Sequence, residues 1–104
     1  MQRMQATKLA DYLSDSKPLL IDVREPWEFE ICQLANSVNI PMSTIPNHLQ
    51  QIQDADECVI ICHHGVRSMN VIQYLMLQDI DHLINLDGGV NAWAQTVDQD
   101  MALY

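Results

Sequence analysis

The stretch from Val59 to Leu77 reads Val-Ile-Ile-Cys-His-His-Gly-Val-Arg-Ser-Met-Asn-Val-Ile-Gln-Tyr-Leu-Met-Leu. Its opening run of apolar, β-branched residues predicts a buried strand, and the spacing of apolar residues from Ser68 onward predicts an amphipathic helix. Ser68 is also a residue type that caps the first turn of a helix. Cys62 therefore lies at the rim of a strand-to-helix turn, where its surroundings decide how reactive its thiol is.

Strands and helices alternate along the rest of the chain. Apolar runs predict the strands, at 19–23, 37–40, 58–61 and 83–86. Capping residues and helical spacing predict the helices, which begin near Thr7, Pro26, Ser43, Ser68 and Gly89. This alternation predicts a three-layer α/β domain, in which a mostly parallel central sheet is flanked by helices.

The length and composition fit a single domain, 1–104. Of its 104 residues 48% are hydrophobic, and only three are glycine and four proline, as expected for a packed core rather than a disordered segment. We expect the core to span about 7–97 and the last residues, from about Asp98, to fray.

The chain is acidic. It carries 14 Asp and Glu against five Lys and Arg, a formal net charge of −9 at pH 7. The cations are scattered rather than grouped in a basic stripe, which argues against nucleic acid as a partner. The same charge would attract a basic protein partner, whereas a small anion has to be attracted by local groups.

No segment predicts export or membrane insertion. The N-terminal residues lack the apolar core of a signal peptide, and no run approaches the ~20 apolar residues of a membrane span. The three cysteines are an odd number, and Cys58 and Cys62 would lie roughly 13 Å apart along a strand, too far for a disulfide. We therefore expect reduced thiols in a cytoplasmic protein.

Polar residues follow three of the predicted strands. Asp22 and Arg24 come at the end of the first, Cys62 follows the most apolar one, and Asp87 and Gly88 follow the last. In a parallel α/β sheet, ligands collect at the carboxyl ends of the strands. We expect these groups to converge on one edge, with Asp22 and Arg24 supporting the site.

The residues behind Cys62 are suited to holding negative charge. Thiolate is the nucleophilic form of cysteine, and a helix N-terminus or a nearby cation stabilises it. The predicted binding residues are His63, His64, Gly65, Val66, Arg67 and Ser68. Their backbone N–H groups can form a nest for a thiolate, a persulfide or an oxyanion, with Gly65 supplying backbone freedom. Arg67 offers a fork for an oxyanion or holds the loop against a carboxylate such as Asp22 or Glu28.

A free cysteine at the end of an apolar strand is often only a small core residue. A core cysteine needs no polar loop that contains glycine, so the sequence favours a nucleophile at Cys62. Cys32 and Cys58 have no such loop and are interpreted as structural. A metal site built from Cys62, His63 and His64 is a weak alternative, because adjacent residues rarely reach one ion and no second Cys/His pair stands at metal spacing.

Four segments together resemble the single-domain rhodaneses, which are thiosulfate-type sulfurtransferases. They are Leu19-Leu-Ile-Asp-Val-Arg-Glu-Pro-Trp-Glu-Phe29, Asn39-Ile-Pro41, Cys62-His-His-Gly-Val-Arg-Ser68 and Leu86-Asp-Gly-Gly-Val-Asn-Ala-Trp93, in the family's order. They are similar to its first signature, the end of that block, its active-site loop and its C-terminal signature. The resemblance covers about 7–94, which makes it far more specific than any one segment.

The resemblance implies a central parallel sheet of about five strands and a two-step sulfur transfer. Cys62 would attack the outer sulfur of thiosulfate or a persulfide donor, hold it as a persulfide, and pass it to cyanide, a thiol or a protein. No cofactor or metal is implied. The segment 30–37 departs from the family, because Cys32 and Gln33 stand where a Gly-His pair is usual and Asn36 supplies a turn that glycine often provides.

Three other functions stay open at this point. Relatives of this fold include dual-specificity phosphatases and arsenate reductases, which carry one more residue in the loop than the four between Cys62 and Arg67. The shorter loop makes a ring better matched to a sulfur atom than to a tetrahedral oxyanion. Non-catalytic interaction modules of this type have lost the cysteine, which this chain keeps. A sulfur carrier in a protein relay would use the same chemistry at Cys62.

Overall fold

The computed structural model describes residues 1–104, in which strands and helices alternate. The strands are β1 (Gln2–Gln5), β2 (Leu19–Asp22), β3 (Val38–Asn39), β4 (Cys58–Ile61) and β5 (Leu83–Asp87). The α-helices are α1 (Ala6–Asp15), α2 (Pro26–Ile31), α3 (Leu49–Asp54), α4 (Val66–Leu77) and α5 (Gly89–Thr96), with a 3₁₀ helix at Met42–His48 leading into α3. None of them combines the length and the apolar character that crossing a bilayer requires.

Neighbouring strands are all parallel and lie in the order β1-β5-β4-β2-β3. β4 lies at the centre, and every residue in it is completely buried. Its side chains alternate between two cores, because Val59 packs with Leu9 and Val90 on one face while Ile60 packs with Ile72 on the other. The predicted three-layer α/β domain with a five-stranded sheet is therefore confirmed.

The sequence does not predict β1. This strand pairs with β5 at the edge of the sheet, where Gln2 lies opposite Ile84 and Gln5 opposite Asp87. Only Met4 in it is buried, so it lacks the apolar run that reveals the other strands. The sheet consequently begins before residue 7, where the core was expected to start.

Three element boundaries differ from the prediction. α1 begins at Ala6, so Thr7 lies inside its first turn and not at its cap. α4 begins at Val66, so Ser68 does not cap it. The helix predicted to begin near Ser43 is a 3₁₀ helix from Met42 to His48, with Pro46 inside it, and becomes an α-helix only at Leu49. The early start of α4 matters most, because it leaves the Ser68 side chain buried beside the site.

The end of the chain packs against the domain, where fraying was expected. The Tyr104 hydroxyl accepts a hydrogen bond from Arg24 Nη1 at 2.8 Å and donates one to Glu28 Oε1 at 3.0 Å. Because Arg24 and Glu28 follow β2, these bonds bring the end of the chain to the carboxyl edge of the sheet.

Candidate active site

Cys62 lies at the carboxyl end of β4, in the turn that leads into α4. Gly65 is the N-cap of α4 and has a left-handed conformation, with φ of +97°. A Cβ at this position would lie 3.0 Å from the Gly88 nitrogen and 3.4 Å from the Leu86 carbonyl oxygen. Conformation and space both select glycine here, because the loop passes close to the end of β5 and the segment that follows it.

The first residues of α5 hold this turn from the other side. The Val90 N–H donates to the Cys62 carbonyl at 2.9 Å, and the Asn91 N–H donates to the His63 carbonyl at 3.1 Å. Gly89 has φ of +60°, and a Cβ on it would overlap the Cys62 and His63 carbonyl groups. The segment after β5 is therefore the support on which the loop rests, and the carboxyl ends of β4 and β5 meet as expected.

The Cys62 sulfur lies at the buried end of a chain of hydrogen bonds that leads to Asp87. The Gly65 N–H donates to Sγ at 3.0 Å, and the thiol donates to Ser68 Oγ at 3.4 Å. Ser68 Oγ donates to Asn85 Oδ1 at 2.5 Å, and Asn85 Nδ2 donates to Asp87 Oδ1 at 2.7 Å. Ser68 is thus a neighbour of the sulfur, and a single backbone amide contacts Sγ where a nest of several was expected.

Arg67 is paired with Glu28, one of the two carboxylates that the sequence offers it. Its Nη1 and Nη2 donate to Glu28 Oε2 and Oε1 at 2.8 and 2.9 Å. The Glu25 N–H also donates to Glu28, at 2.9 Å, in the capping box that opens α2. Arg67 first, and then the Glu25 amide and Tyr104, lower the pKa of Glu28 to about 2, although its burial acts in the opposite direction. Glu28 is therefore ionised at any ordinary pH.

Asp22 and Arg24 form a second ion pair, and both side chains are completely buried. Arg24 Nε and Nη2 donate to the Asp22 carboxylate at 2.9 and 2.7 Å. The remaining Arg24 donors reach the Glu28 carbonyl, the Cys32 carbonyl and sulfur, and the Tyr104 hydroxyl. This pair fixes α2 and the segment after it against β2, and it does not contact the Cys62 sulfur.

Aromatic rings stack on the loop. The His63 ring lies between those of His64 and Tyr104, with centroids 4.0 Å apart in each pair. Trp27 meets Tyr104 edge-on, at 5.9 Å between centroids. Burial, and then the charges of His64 and Arg24, lower the pKa of His63, so this imidazole is neutral near pH 7. No three His, Cys, Asp or Glu side chains lie close enough together to hold a metal ion.

The other two cysteines are buried free thiols. Cys58 lies at the opposite end of β4, where its sulfur donates to the Ile52 carbonyl at 3.7 Å. Burial, and then the charge of Glu57, raise the pKa of Cys58 to about 11, so this thiol stays protonated. Cys32 is 8% exposed and contacts Arg24. Neither cysteine has a backbone amide on its sulfur.

Comparison with known proteins decides the family. The model of the rhodanese-like domain family matches residues 5–96 of this chain. The chain belongs to that family. A crystal structure of a rhodanese-like domain protein from Staphylococcus aureus superimposes with a TM-score of 0.81 at 36% identity, covering 89% of this chain and 91% of that one.

Two curated relatives of the chain carry names that describe sulfur transfer. One is a sulfurtransferase of Allochromatium vinosum, 32% identical over 91% of this chain and 90% of the relative. The other is the adenylyltransferase and sulfurtransferase MOCS3 of Drosophila grimshawi, 35% identical over 99% of this chain but 25% of the relative. The chain thus spans about a quarter of the length of the MOCS3 proteins that it matches.

The residues predicted for the rhodanese site separate into three groups. Gly65 and Ser68 contact the Cys62 sulfur, as described above. Arg67 faces Glu28, and the predicted supports Asp22 and Arg24 face each other. His63 and His64 contribute stacked rings, and Val66 is 69% exposed.

Two residues of the site escape the sequence analysis. Asn85, which orients Ser68, is a polar residue inside the apolar run of β5, and that break in the run was an available signal. Tyr104 has no signal, because 80 residues separate it from Arg24 and only the fold brings them together.

Proposed function

We propose that this rhodanese is a sulfurtransferase in which Cys62 is the nucleophile. It takes a sulfane sulfur from thiosulfate or a persulfide donor and passes it to a thiol, cyanide or a protein. The observation that carries the proposal is the Gly65 N–H, 3.0 Å from the Cys62 sulfur at the start of α4. A hydrogen-bond donor at that distance stabilises a negatively charged sulfur. It therefore stabilises both the attacking thiolate and the persulfide that replaces it.

The first step exchanges one sulfur–sulfur bond for another. The Cys62 thiolate attacks the terminal sulfur of the donor, and the bond between that sulfur and the rest of the donor breaks. The leaving group departs with the electron pair, as sulfite from thiosulfate or as a thiolate from a persulfide. Once Cys62 is deprotonated, the Ser68 hydroxyl, 3.4 Å away, can donate to the sulfur by exchanging its bond to Asn85 Oδ1 for one to Sγ. Because Cys62 is 1% exposed, only the terminal atom of a donor reaches it.

The second step returns Cys62 to its starting state. A nucleophilic acceptor attacks the outer sulfur of the persulfide and removes it, and Cys62 leaves as a thiolate. No electron carrier is needed, because the sulfane sulfur is transferred at a constant oxidation state. Dividing the transfer into two displacements at one sulfur lowers the barrier to each.

Two observations support a role within a sulfur relay: the negative net charge of the chain and its similarity to the MOCS3 proteins. The net charge of −9 favours a basic protein as donor or acceptor. The MOCS3 relatives carry a matching segment within a much longer chain. The free thiols suit a reducing compartment such as the cytoplasm. Phosphatase chemistry is disfavoured, because Glu28 occupies both Nη groups of Arg67 that would bind a tetrahedral oxyanion.

Turnover of a sulfane donor with cyanide tests the proposal. We expect the wild type and Cys58→Ala to form thiocyanate from thiosulfate or methanethiosulfonate, and Cys62→Ser to form none. A parallel assay with p-nitrophenyl phosphate is expected to show no hydrolysis. Full turnover by Cys62→Ser, or phosphate ester hydrolysis that depends on Cys62, would overturn the proposal.

A further inference from the structure

We infer that Glu28 is a specificity-determining residue for the charge of the sulfur donor. By neutralising Arg67, it makes this site favour a donor of low charge, such as an alkyl thiosulfonate monoanion or a persulfide, over the thiosulfate dianion. The inference rests on the proposed sulfur transfer at Cys62 and concerns which donors that site selects.

The first observation is the geometry of the Arg67 fork. Both terminal nitrogens of Arg67 are bound to the two Glu28 oxygens, at 2.8 and 2.9 Å. The Glu28 side chain is 6% exposed and that of Arg67 is 34% exposed. Arg67 is the second residue of α4, and its pKa is raised first by the bond to Glu28 and to a smaller extent by the charge of the nearby Cys62. A sulfur donor at Cys62 therefore meets this pair and not a free guanidinium. A bidentate pair of this kind presents little net charge to a third group.

The second observation is that the other cations near the site are also paired. Arg24 is completely buried against Asp22. Arg3 pairs with Asp87 at 3.1 Å, on the side of the loop formed by β5. His63 is neutral near pH 7, because burial lowers its pKa. No unpaired Arg or Lys is left at the loop to offset the repulsion between an acidic chain and a dianion.

The third observation is that Glu28 is held in place as a permanent charge. Besides Arg67, the Glu25 N–H and the Tyr104 hydroxyl donate to it, at 2.9 and 3.0 Å. Two elements outside the loop therefore fix its orientation. Glutamine at this position keeps the acceptor that the capping box needs while removing the charge, which makes Glu28→Gln the appropriate variant.

Thiosulfate and methanethiosulfonate are sulfur donors of similar size that differ in charge, so comparing them reports how the site selects for the charge of the donor. With thiosulfate, the Cys62 thiolate forms a bond to the sulfane sulfur and sulfite leaves with the electron pair. With methanethiosulfonate, the same bond forms and methanesulfinate leaves. Both reactions give the same Cys62 persulfide, but the first donor carries two negative charges and the second carries one. The ratio of kcat/KM for thiosulfate to kcat/KM for methanethiosulfonate therefore reports the electrostatic selection.

The test compares this ratio in four proteins: wild type, Glu28→Gln, Arg67→Gln and the double variant. A unit charge near a partly hydrated site changes the ratio by on the order of fivefold. We expect Glu28→Gln to raise it by about that factor, Arg67→Gln to lower it, and the double variant to return close to the wild-type value. Glu30→Gln, on the exposed side of α2, is the matched control and is expected to leave the ratio unchanged.

An unchanged or lowered ratio in Glu28→Gln would overturn the inference, since it would mean that the paired Arg67 already binds the dianion. A second measurement needs no variant. We expect added salt to raise the wild-type kcat/KM for thiosulfate, because it screens repulsion, whereas a fall would show attraction by a free cation and contradict the inference. If neither donor adds sulfur to Cys62 in the wild type, the proposed function itself fails.

Discussion

Two buried free cysteines, Cys58 and Cys62, lie at opposite ends of β4 and differ in the groups that contact their sulfur atoms. Cys58 and Cys62 are 0% and 1% exposed and belong to the same core cluster. The Cys58 sulfur faces a carbonyl oxygen, that of Ile52 near the end of α3. The Cys62 sulfur faces the N–H of Gly65 at the start of α4. Exposure therefore does not distinguish the proposed nucleophile Cys62 from Cys58, whereas the polarity of the groups that contact each sulfur does.

The direction of the strand explains this difference. In a parallel α/β unit the chain enters a strand from the C-terminal end of one helix and leaves it toward the N-terminal end of the next. The carbonyl groups of α3 therefore lie near Cys58, and the amide groups of α4 lie near Cys62. Helix ends carry partial charges of these signs, so a negative sulfur is stabilised at only one end of β4.

The largest expected effect comes from a substitution at the start of α5, which contacts the Cys62 loop. Gly89→Ala places a methyl group against the Cys62 and His63 carbonyl groups, at a left-handed backbone position. We expect the free energy of unfolding to fall by about 3 kcal/mol and sulfur loading of Cys62 to slow by about 100-fold or more. Urea unfolding and intact-mass kinetics measure the two effects.

Gln95→Ala, on the exposed side of the same helix α5, is the control and is expected to change neither quantity. If Gly89→Ala loads sulfur within twofold of the wild type, α5 does not support the loop.

We expect acid to lower the stability of the folded protein through Glu28, which pairs with Arg67 near Cys62. The pKa of Glu28 is about 2 in the folded protein against an ordinary 4.5. The folded state thus gains stability from ionised Glu28 that is complete above pH 4.5 and is lost as the pH falls toward 2. We expect Glu28→Gln to lower stability at pH 7 by on the order of 2 kcal/mol and to flatten its dependence on pH in that window. Urea unfolding across the window measures this, and a slope equal to that of Glu30→Gln would contradict it.

We expect alkali to lower the stability of the folded protein through Cys58, at the other end of β4. Burial raises the pKa of Cys58 to about 11 from an ordinary 9.0. The protonated thiol therefore contributes stability below pH 9 that is lost as the pH rises toward 11, on the order of 2 kcal/mol in full. We expect Cys58→Ala to remove this alkaline slope, to cost about 1 kcal/mol at pH 7 for the lost sulfur, and to keep sulfur loading at Cys62. Loss of sulfur loading at Cys62 in Cys58→Ala, measured per folded molecule, would contradict the expectation that Cys62 reacts independently of Cys58.

Removing the hydroxyl beside Cys62 is expected to have the smallest effect. Ser68→Ala deletes one of the two groups that contact the sulfur and leaves the Gly65 amide in place. We expect the rate of sulfur loading to fall about fivefold, which corresponds to one modest hydrogen bond. Ser43→Ala, in the exposed part of the 3₁₀ helix, is the control. Equal rates for the two variants would show that the hydroxyl serves packing alone.

Strands and helices that have a strong residue pattern of their own can be predicted from the sequence. The unit from Val59 to Leu77 shows its strand and helix because both have strong apolar periodicity and a glycine at the turn. β1 is not readable, because an edge strand with one buried residue, Met4, is defined by its pairing with β5 and not by its own pattern.

The site divides in the same way. Cys62 and Gly65 belong to one short segment of the sequence, so the loop is predicted from its own residues. Ser68 is predicted as a binding residue and as the cap of the helix. Its side-chain contact with the sulfur is not predicted, because Gly65 ends the loop early and starts α4 at Val66. The choice of Glu28 as the partner of Arg67 depends on how α2 packs beside the loop, which no local pattern encodes.

Locating the added sulfur within the chain tests the central claim most directly. The wild type is treated with methanethiosulfonate until one sulfur atom is added per chain, and the peptides that contain Cys32, Cys58 and Cys62 are analysed by mass spectrometry. The account predicts that all of the added sulfur lies on Cys62. Sulfur on Cys58 or Cys32, with Cys62 unmodified, would contradict it.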